Sequence, residues 1–256
     1  GGRSIVLKFP YLRQSFQNSG KKVSAVIAQT LPNTVVLALS SIVIAMLLGV
    51  LLGIVSVLSK DRWLDKAIQL ISTLGMSVPS FFSAILFAWV FGFVLHRYTG
   101  LQMTGSLYEV DDFGNGTYIQ WKNLILPAIV LGIRPLAVVS QLMRNSLLEV
   151  LNQDYITTAK AKGLSQRAVI GRHALKNSLN PVVTAISGWF ASMLAGAVFV
   201  EFIFGWNGIG KEIVDALNKS DLPVIMGTVI VIASLFIVTR VRAIGDVGVL
   251  ILAVSA

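Results

Sequence analysis

Long stretches without a charged residue constrain this chain more than any other feature. Residues 23–59, 67–95 and 177–200 carry neither an acidic nor a basic side chain. Within the first, the apolar run from Leu31 to Leu58 exceeds the roughly 20 residues that a helix needs to cross a bilayer. In hydrocarbon the backbone must satisfy its own hydrogen bonds, so such runs are read as helices. Composition agrees. Charged residues make up 13% of the chain and mean hydropathy is +0.76, whereas a soluble domain carries about 25% charged residues. The expected fold class is an all-α, polytopic membrane helical bundle.

Five spans are expected. The first is Leu31–Leu58. Pro79 in "SVPSFF" breaks the next charge-free window into a short helix and a span from about Ser80 to Leu95. The third runs from about Leu124 to Met143 and holds one charge, Arg134, followed by Pro135. The fourth starts near Pro181, and the fifth covers about Leu222 to Thr239. Charge orients them. The 59–66 loop, the 144–176 stretch and the end of the last span together carry eleven Lys and Arg, against four in the loops 97–123 and 205–221. The basic side is therefore expected to be cytoplasmic, although five basic residues among the first 30 run against the rule. The same bias accounts for the net charge of +9 without nucleic acid. With no cysteine, disulfides, thiolate metal sites and thiol nucleophiles are excluded. The loop 97–123 is turn-rich and long enough to be either a solvated connector or a small cap over the membrane mouth.

The basic stretch between the third and fourth spans has its own structure. Asp154 is a suitable N-cap for a short helix from Tyr155 to Lys162. Gly163 provides a stop that tolerates the left-handed conformation. Ser165 can cap a second helix to about Asn177, and Pro181 opens the next span. Ala159, Ala161 and Gly163 keep this helix–turn–helix slim. The residues alone allow a rigid protrusion that enters a partner's cleft. They also allow a basic amphipathic pair lying on anionic lipid headgroups.

The stretch "DYITTAKAKGLSQRAVIGRHALKNSLNPVVT" resembles the cytoplasmic coupling loop, or EAA loop, of binding-protein-dependent permeases of the ATP-binding cassette (ABC) class. Four further stretches, in order, resemble the dipeptide, oligopeptide and nickel branch of that family. They are "LPNTVVLALSSIVIAMLLGVLLGIVS", "SVPSFFSAILFAWVFGF", "LPAIVLGIRPLAVVSQLMRNSLLEVLNQDYI" and "VEFIFGWNGIGKEIVDAL". Their order is similar to the B-type subunit, and the resemblance covers about Gly1 to Phe236. The family has a further span and exterior segment ahead of this point. "GGRS" looks like the end of its "GDLGRS" pattern, which implies five spans of six. Asn207 stands where the family usually has Pro, and the last residues diverge from the family tail. The resemblance thus divides the chain into an exterior segment (1–30), a permease domain (31–239) with its cytoplasmic coupling loop at 154–180, and a divergent tail (240–256).

The resemblance implies a multi-pass cell (inner) membrane subunit forming half of the pathway for peptides or a related small solute. It implies four partners besides the bilayer: a second permease subunit, two cytoplasmic ATP-binding subunits and an exterior substrate-binding protein. No cofactor is expected on this chain; ATP would be used by the partners. The coupling residues would be Asp154, Tyr155, Thr158, Ala159, Ala161, Gly163 and Arg167. Two residues are expected along the substrate pathway, Arg134 and, as a gate or interface group, Glu201. Arg134 sits mid-span, where a charge costs roughly 2.5–3.5 kcal/mol on insertion scales, so it should face protein or water. A structural partner beside Pro135 is the other reading. Gly49 with Gly53, and Gly188 with Ser192 and Gly196, form small-residue stripes that allow close helix approach, either within the chain or to a second permease.

Enzyme classes find little support. There is no H-E-x-x-H motif and no Gly-rich phosphate loop. His96 and His173 fall in loops on opposite sides, where neither can activate a membrane serine. A secondary transporter remains the alternative. It would need intramembrane carboxylates or paired broken helices in two related halves, and the spans hold no central Asp or Glu. A purely structural membrane subunit is the third reading.

Overall fold

The computed structural model describes residues 12–18, 20–110 and 116–254, with backbone alone at 187, 191, 195 and 196 and from 240 onward. The bundle opens with α1 (Val23–Leu58), which is joined by a short turn to α2 (Trp63–Ser77). Next come α3 (Ser80–Phe87), a π-helical segment (Ala88–Val94) and α4 (His96–Thr99). A hairpin of β1 (Tyr108–Val110) and β2 (Thr117–Ile119) precedes α5 (Lys122–Leu151). After α5 the chain forms α6 (Asp154–Ala161), α7 (Gln166–Ala168), a π-helical turn (Val169–Ala174) and α8 (Leu175–Ser178). It then re-enters the bundle as α9 (Asn180–Gly196) and α10 (Val198–Phe204), and closes with α11 (Ile209–Asn218) and α12 (Leu222–Val254).

Three of these helices are long and apolar enough to cross a membrane, and two bent pairs bring the number to as many as five. One pair is α2 with α3 and its π-helical extension, bent by 109°. Pro79 has no N–H to continue a helix and holds Val78 in an extended conformation (φ −77°, ψ 130°), so the chain turns there. The sequence reading differs in two places. α1 begins at Val23, ahead of Leu31, because Val23, Val26 and Ile27 are buried with Ile209, Ala216 and Val224 at the rim. The 97–123 loop is not purely irregular; it holds the β1–β2 hairpin, paired Tyr108 to Ile119. Residues 240–254 continue α12 as helix.

The axis of the bundle is the α1–α5 pair. α1 is apolar all round, so hydrophobicity does not choose its buried face; side-chain size does. Leu39, Val43, Leu47 and Leu51 are exposed, while Ser41, Ala45, Gly49, Gly53 and Ser56 are buried. In lipid, association rests on packing rather than on hydrophobic transfer, and small residues let backbones approach. A β-carbon on Gly49 would lie 2.7 Å from Val139 Cγ1, and one on Gly53 would lie 2.6 Å from Met143 Cβ. From the other side, Gly132 of α5 backs onto the Ser41 carbonyl. The Gly49–Gly53 stripe thus serves contact within the chain.

Two apolar clusters continue this axis. One, toward the end carrying the hairpin, gathers Leu37, Ala88, Leu131, Val200, Phe204 and Trp206. The other, toward the basic end, runs from Val139, Met143 and Leu147 into Ile156, Val169 and Ala174. At the rim, Asp221 accepts hydrogen bonds from the Ser15 hydroxyl and from the Phe16 and Gln17 N–H groups, tying the segment before α1 to the α11–α12 turn. Burial works to raise its pKa, but these bonds and one from the Val224 N–H outweigh it and hold the carboxyl below its ordinary value.

If α1 and α5 are in such close contact, Gly49→Ala should cost about 1–3 kcal/mol through overpacking. Thermal unfolding in detergent should show a lower Tm, partly restored by Val139→Ala. An unchanged Tm for the single variant would contradict this packing.

Candidate coupling site

Helices α6 to α8 form a protrusion at the basic end of the bundle. Its turn follows from local chemistry. Gly163 has φ +79°, a left-handed conformation that a side chain resists, and no atom lies within 4 Å of the position its β-carbon would take. The Ser165 hydroxyl accepts the Ala168 N–H at 3.4 Å, so Ser165 caps the second helical arm. Asp154, expected as the cap of the first arm, is instead its first helical residue, and Gln153 holds the cap position. An acidic residue in that first turn still complements the helix dipole. The two arms are cross-tied by Asn177, whose Nδ2 donates to the Tyr155 hydroxyl at 2.9 Å.

Of the expected coupling residues, Asp154, Tyr155, Thr158, Ala161, Gly163 and Arg167 are exposed. Ala159 is buried, as is Ile156, and both belong to the cluster built on Met143, Leu147 and Val150 of α5. The side chain of Ala159 is therefore taken up by the mount of the protrusion, not by its outer surface. Lys160, Lys162, Arg167, Arg172 and Lys176 are also exposed, which gives the protrusion a basic surface.

Sequence reasoning missed the anchor beside this mount. Arg144 of α5 forms a two-pronged ion pair with Asp65 of α2, its Nε and Nη2 each 2.9 Å from a carboxylate oxygen. Asp65 is buried and also accepts from the Ser56 hydroxyl of α1, from Gln69 Nε2 at 2.9 Å and from the Asp61 N–H at 3.2 Å. One carboxylate thus joins α1, α2 and α5. In the sequence, Asp65 and Arg144 read only as loop charges, and nothing in their spacing pairs them across helices.

The opposite end is locked by a different carboxylate. Glu201 of α10 is fully buried, and its Oε2 accepts the Gly210 N–H at 2.7 Å and the Lys211 N–H at 3.2 Å at the start of α11. This is a capping position, where an anion meets unsatisfied N–H groups and the positive end of a helix dipole. Gly208 is required there, since a β-carbon would lie 2.3 Å from the carboxylate. Trp206, also buried, donates through Nε1 to the Asn33 carbonyl of α1, and Asn33 donates back to the Asn207 carbonyl at 2.7 Å. The hairpin loop joins in through Gly105 N–H to the Phe204 carbonyl at 2.8 Å. Glu201 therefore lies within the fold, not on an open surface.

Arg134 is exposed on α5 and, among the described residues, makes no hydrogen bond or ion pair. Gly188 and Ser192 of the second stripe line an open cleft of about 370 Å³ with Ala185 and Trp189 on α9. The packing around Gly196 lies outside the described residues.

A protrusion mounted on a bundle of bent and straight spans matches a known family. Residues 45–246 fit the family described as the binding-protein-dependent transport system inner membrane component. The chain belongs to this family. It is 39% identical over 229 residues to a dipeptide transport system permease protein of Haemophilus influenzae, covering 82% of this chain and 66% of that protein. A dipeptide transport system permease protein of Bacillus subtilis is 36% identical over 229 residues, with 88% of this chain and 70% of that protein covered. The chain thus spans about two thirds of the length of these relatives. Among solved structures, the MetNI methionine ABC transporter in inward-facing conformations superposes with a TM-score of 0.66 at 12% identity, covering 88% of this chain and 96% of that one. This likeness shows the ABC importer permease fold.

The buried ion pair gives a test of the anchor. Arg144→Met leaves Asp65 buried without its cation and should cost on the order of 3 kcal/mol. Adding Asp65→Leu should recover much of that loss in a thermal melt, since no charge is then stranded. A double variant as unstable as the single one would argue against the pairing.

Proposed function

We propose that this chain forms half of the membrane pathway of an ATP-driven importer of peptides, with the 154–180 protrusion as its coupling loop to a cytoplasmic ATPase. The observation that carries the proposal is the pairing of an exposed, slim helix–turn–helix with a buried mount. Tyr155, Thr158, Gly163 and Arg167 are free to meet a partner, while Ile156, Ala159, Val169 and Ala174 fix the same element to α5. A loop resting on lipid headgroups would not need so firm a seat. Family membership and the dipeptide permeases among the relatives support a peptide as cargo.

The mechanism follows from that seat. ATP-driven closure of two ATPase subunits would push the protrusion. The push would pass through the apolar cluster into α5, and through the Asp65–Arg144 anchor into α2 and α1. Packed elements of this kind move as bodies between discrete arrangements rather than bending continuously. A second permease subunit would supply the other half of the pathway, and an exterior binding protein would deliver the peptide to the hairpin end. In this reading the chain itself performs no chemistry and holds no cofactor, and ATP hydrolysis belongs to its partners.

Gly163→Val tests the coupling assignment. A β-branched side chain at φ +79° strains the turn by an estimated 1–2 kcal/mol, while the bundle has no contact there to lose. Membrane insertion should stay near wild type and Tm should fall by no more than that strain accounts for, while co-purification of the ATPase and peptide uptake fall by roughly ten-fold. Normal ATPase capture and uptake would reject this role for the loop.

A further inference from the structure

α5 has a polar face that the described residues leave largely uncovered. Arg134, Gln141, Asn145 and Glu149 follow one another at steps of about two turns and then one, which aligns them along one side of the helix. Arg134, Asn145 and Glu149 are exposed and Gln141 is half-buried. Among the described residues, none of these four side chains forms a hydrogen bond or ion pair with protein. The amides of Asn33, Gln69, Asn123 and Asn177, by contrast, donate to protein oxygens. The other long spans expose hydrocarbon instead, such as Val43 and Leu47 on α1 and Met226 and Ile230 on α12.

Lipid is a poor occupant for this face. Arg134 alone would cost roughly 2.5–3.5 kcal/mol near the bilayer centre, and unpaired amides add to that. The line from Arg134 to Glu149 is about 22 Å long at 1.5 Å per residue, and it runs toward the basic end of α5. α2 packs along one edge of it, where a β-carbon on Gly75 would come 3.2 Å from Ile133 Cγ2. α1 packs on the far side, against Val139 and Met143.

We propose that this face lines a water-filled route through the inner half of the membrane, with Arg134 at its deep end as a station for the carboxylate of a passing peptide. The inference rests on the permease reading and adds where in this chain the route runs. Gln141 and Asn145 supply donors and acceptors that replace water around a peptide backbone without binding it tightly. Arg134 supplies the one fixed positive charge on the line, and its planar fork suits a carboxylate. Glu149 at the cytoplasmic mouth repels the same carboxylate and so favours release.

The test uses the absence of native cysteine. Val138→Cys and Asn145→Cys are placed in the full complex with its partner subunits, in membrane vesicles open to the cytoplasmic face. Val43→Cys and Leu47→Cys serve as lipid-face controls. Charged thiosulfonate reagents should modify the α5 positions at least about ten-fold faster than the controls, because thiolate forms in water and not in hydrocarbon. At Val138→Cys, one turn from Arg134, an anionic reagent should be favoured over a cationic one of similar size. Adding Arg134→Gln should lower that preference by roughly ten-fold, since one unit charge is removed at close range. Labelling no faster than in the controls overturns the route, whether lipid or a second permease covers the face. Rapid labelling with an unchanged preference overturns the role of Arg134. Failure of the permease reading would show differently, as loss of ATPase co-purification from the unmodified chain.

Discussion

The structure depends on the close contact between α1 and α5. In a bilayer the hydrocarbon around a helix is as apolar as a leucine side chain, so burying leucine gains little. What remains is packing, and packing requires that two backbones meet. Gly49, Gly53 and Gly132 permit this, and no larger residue would fit at these positions without displacing Val139, Met143 or the Ser41 carbonyl. The pair then offers edges on which α2, α9 and the protrusion seat themselves. Its lipid-facing side keeps the larger residues, Leu39, Leu47 and Leu51, where shape is not restricted.

Each end of this axis is closed by one buried carboxylate, and the two act differently. Asp65 at the basic end meets a guanidinium and holds three helices through charge. Glu201 at the hairpin end meets the Gly210 and Lys211 N–H groups and the Thr34 side chain, and holds the turn between α10 and α11. A buried charge is costly unless it is paired and hydrogen-bonded, so the Asp65–Arg144 pair fixes geometry more than it adds stability. The basic end thereby joins the protrusion, α5, α2 and α1 into one unit. Under the proposed coupling role, a push at the protrusion would move several spans together.

Much of this was legible in the sequence, for physical reasons. Charge-free windows identify spans because lipid penalises charge, and Pro79 marks a break because it lacks an N–H. Gly163 and Ser165 were readable as turn and cap because those conformations depend on local residues alone. What could not be read was long-range. Asp65 and Arg144 are far apart in sequence and look like ordinary loop charges. Glu201 was readable as a gate or interface hydrogen-bonding group, but its partners lie in a turn whose shape no local rule gives. The early start of α1 escaped notice because it depends on burial under α11 and α12, and the hairpin because its strands are only three residues each. Ala159 was expected among the coupling residues from the family resemblance; the helical face it occupies is set by packing on α5, which no local rule gives.

The central claim is that the protrusion, α5 and α2 move as one body. It is tested most directly by measuring the distance between spin labels at Lys66→Cys on α2 and Ser165→Cys on the protrusion, in the assembled complex with and without ATP. Both positions are exposed, and the chain has no other cysteine. A rigid unit predicts one distance distribution, unchanged to within about 2 Å between the two states, while labels at Ser165 on this chain and on the second permease subunit change separation. A shift of roughly 5 Å, the size of a one-turn slip between packed elements, within the Lys66–Ser165 pair would contradict the account.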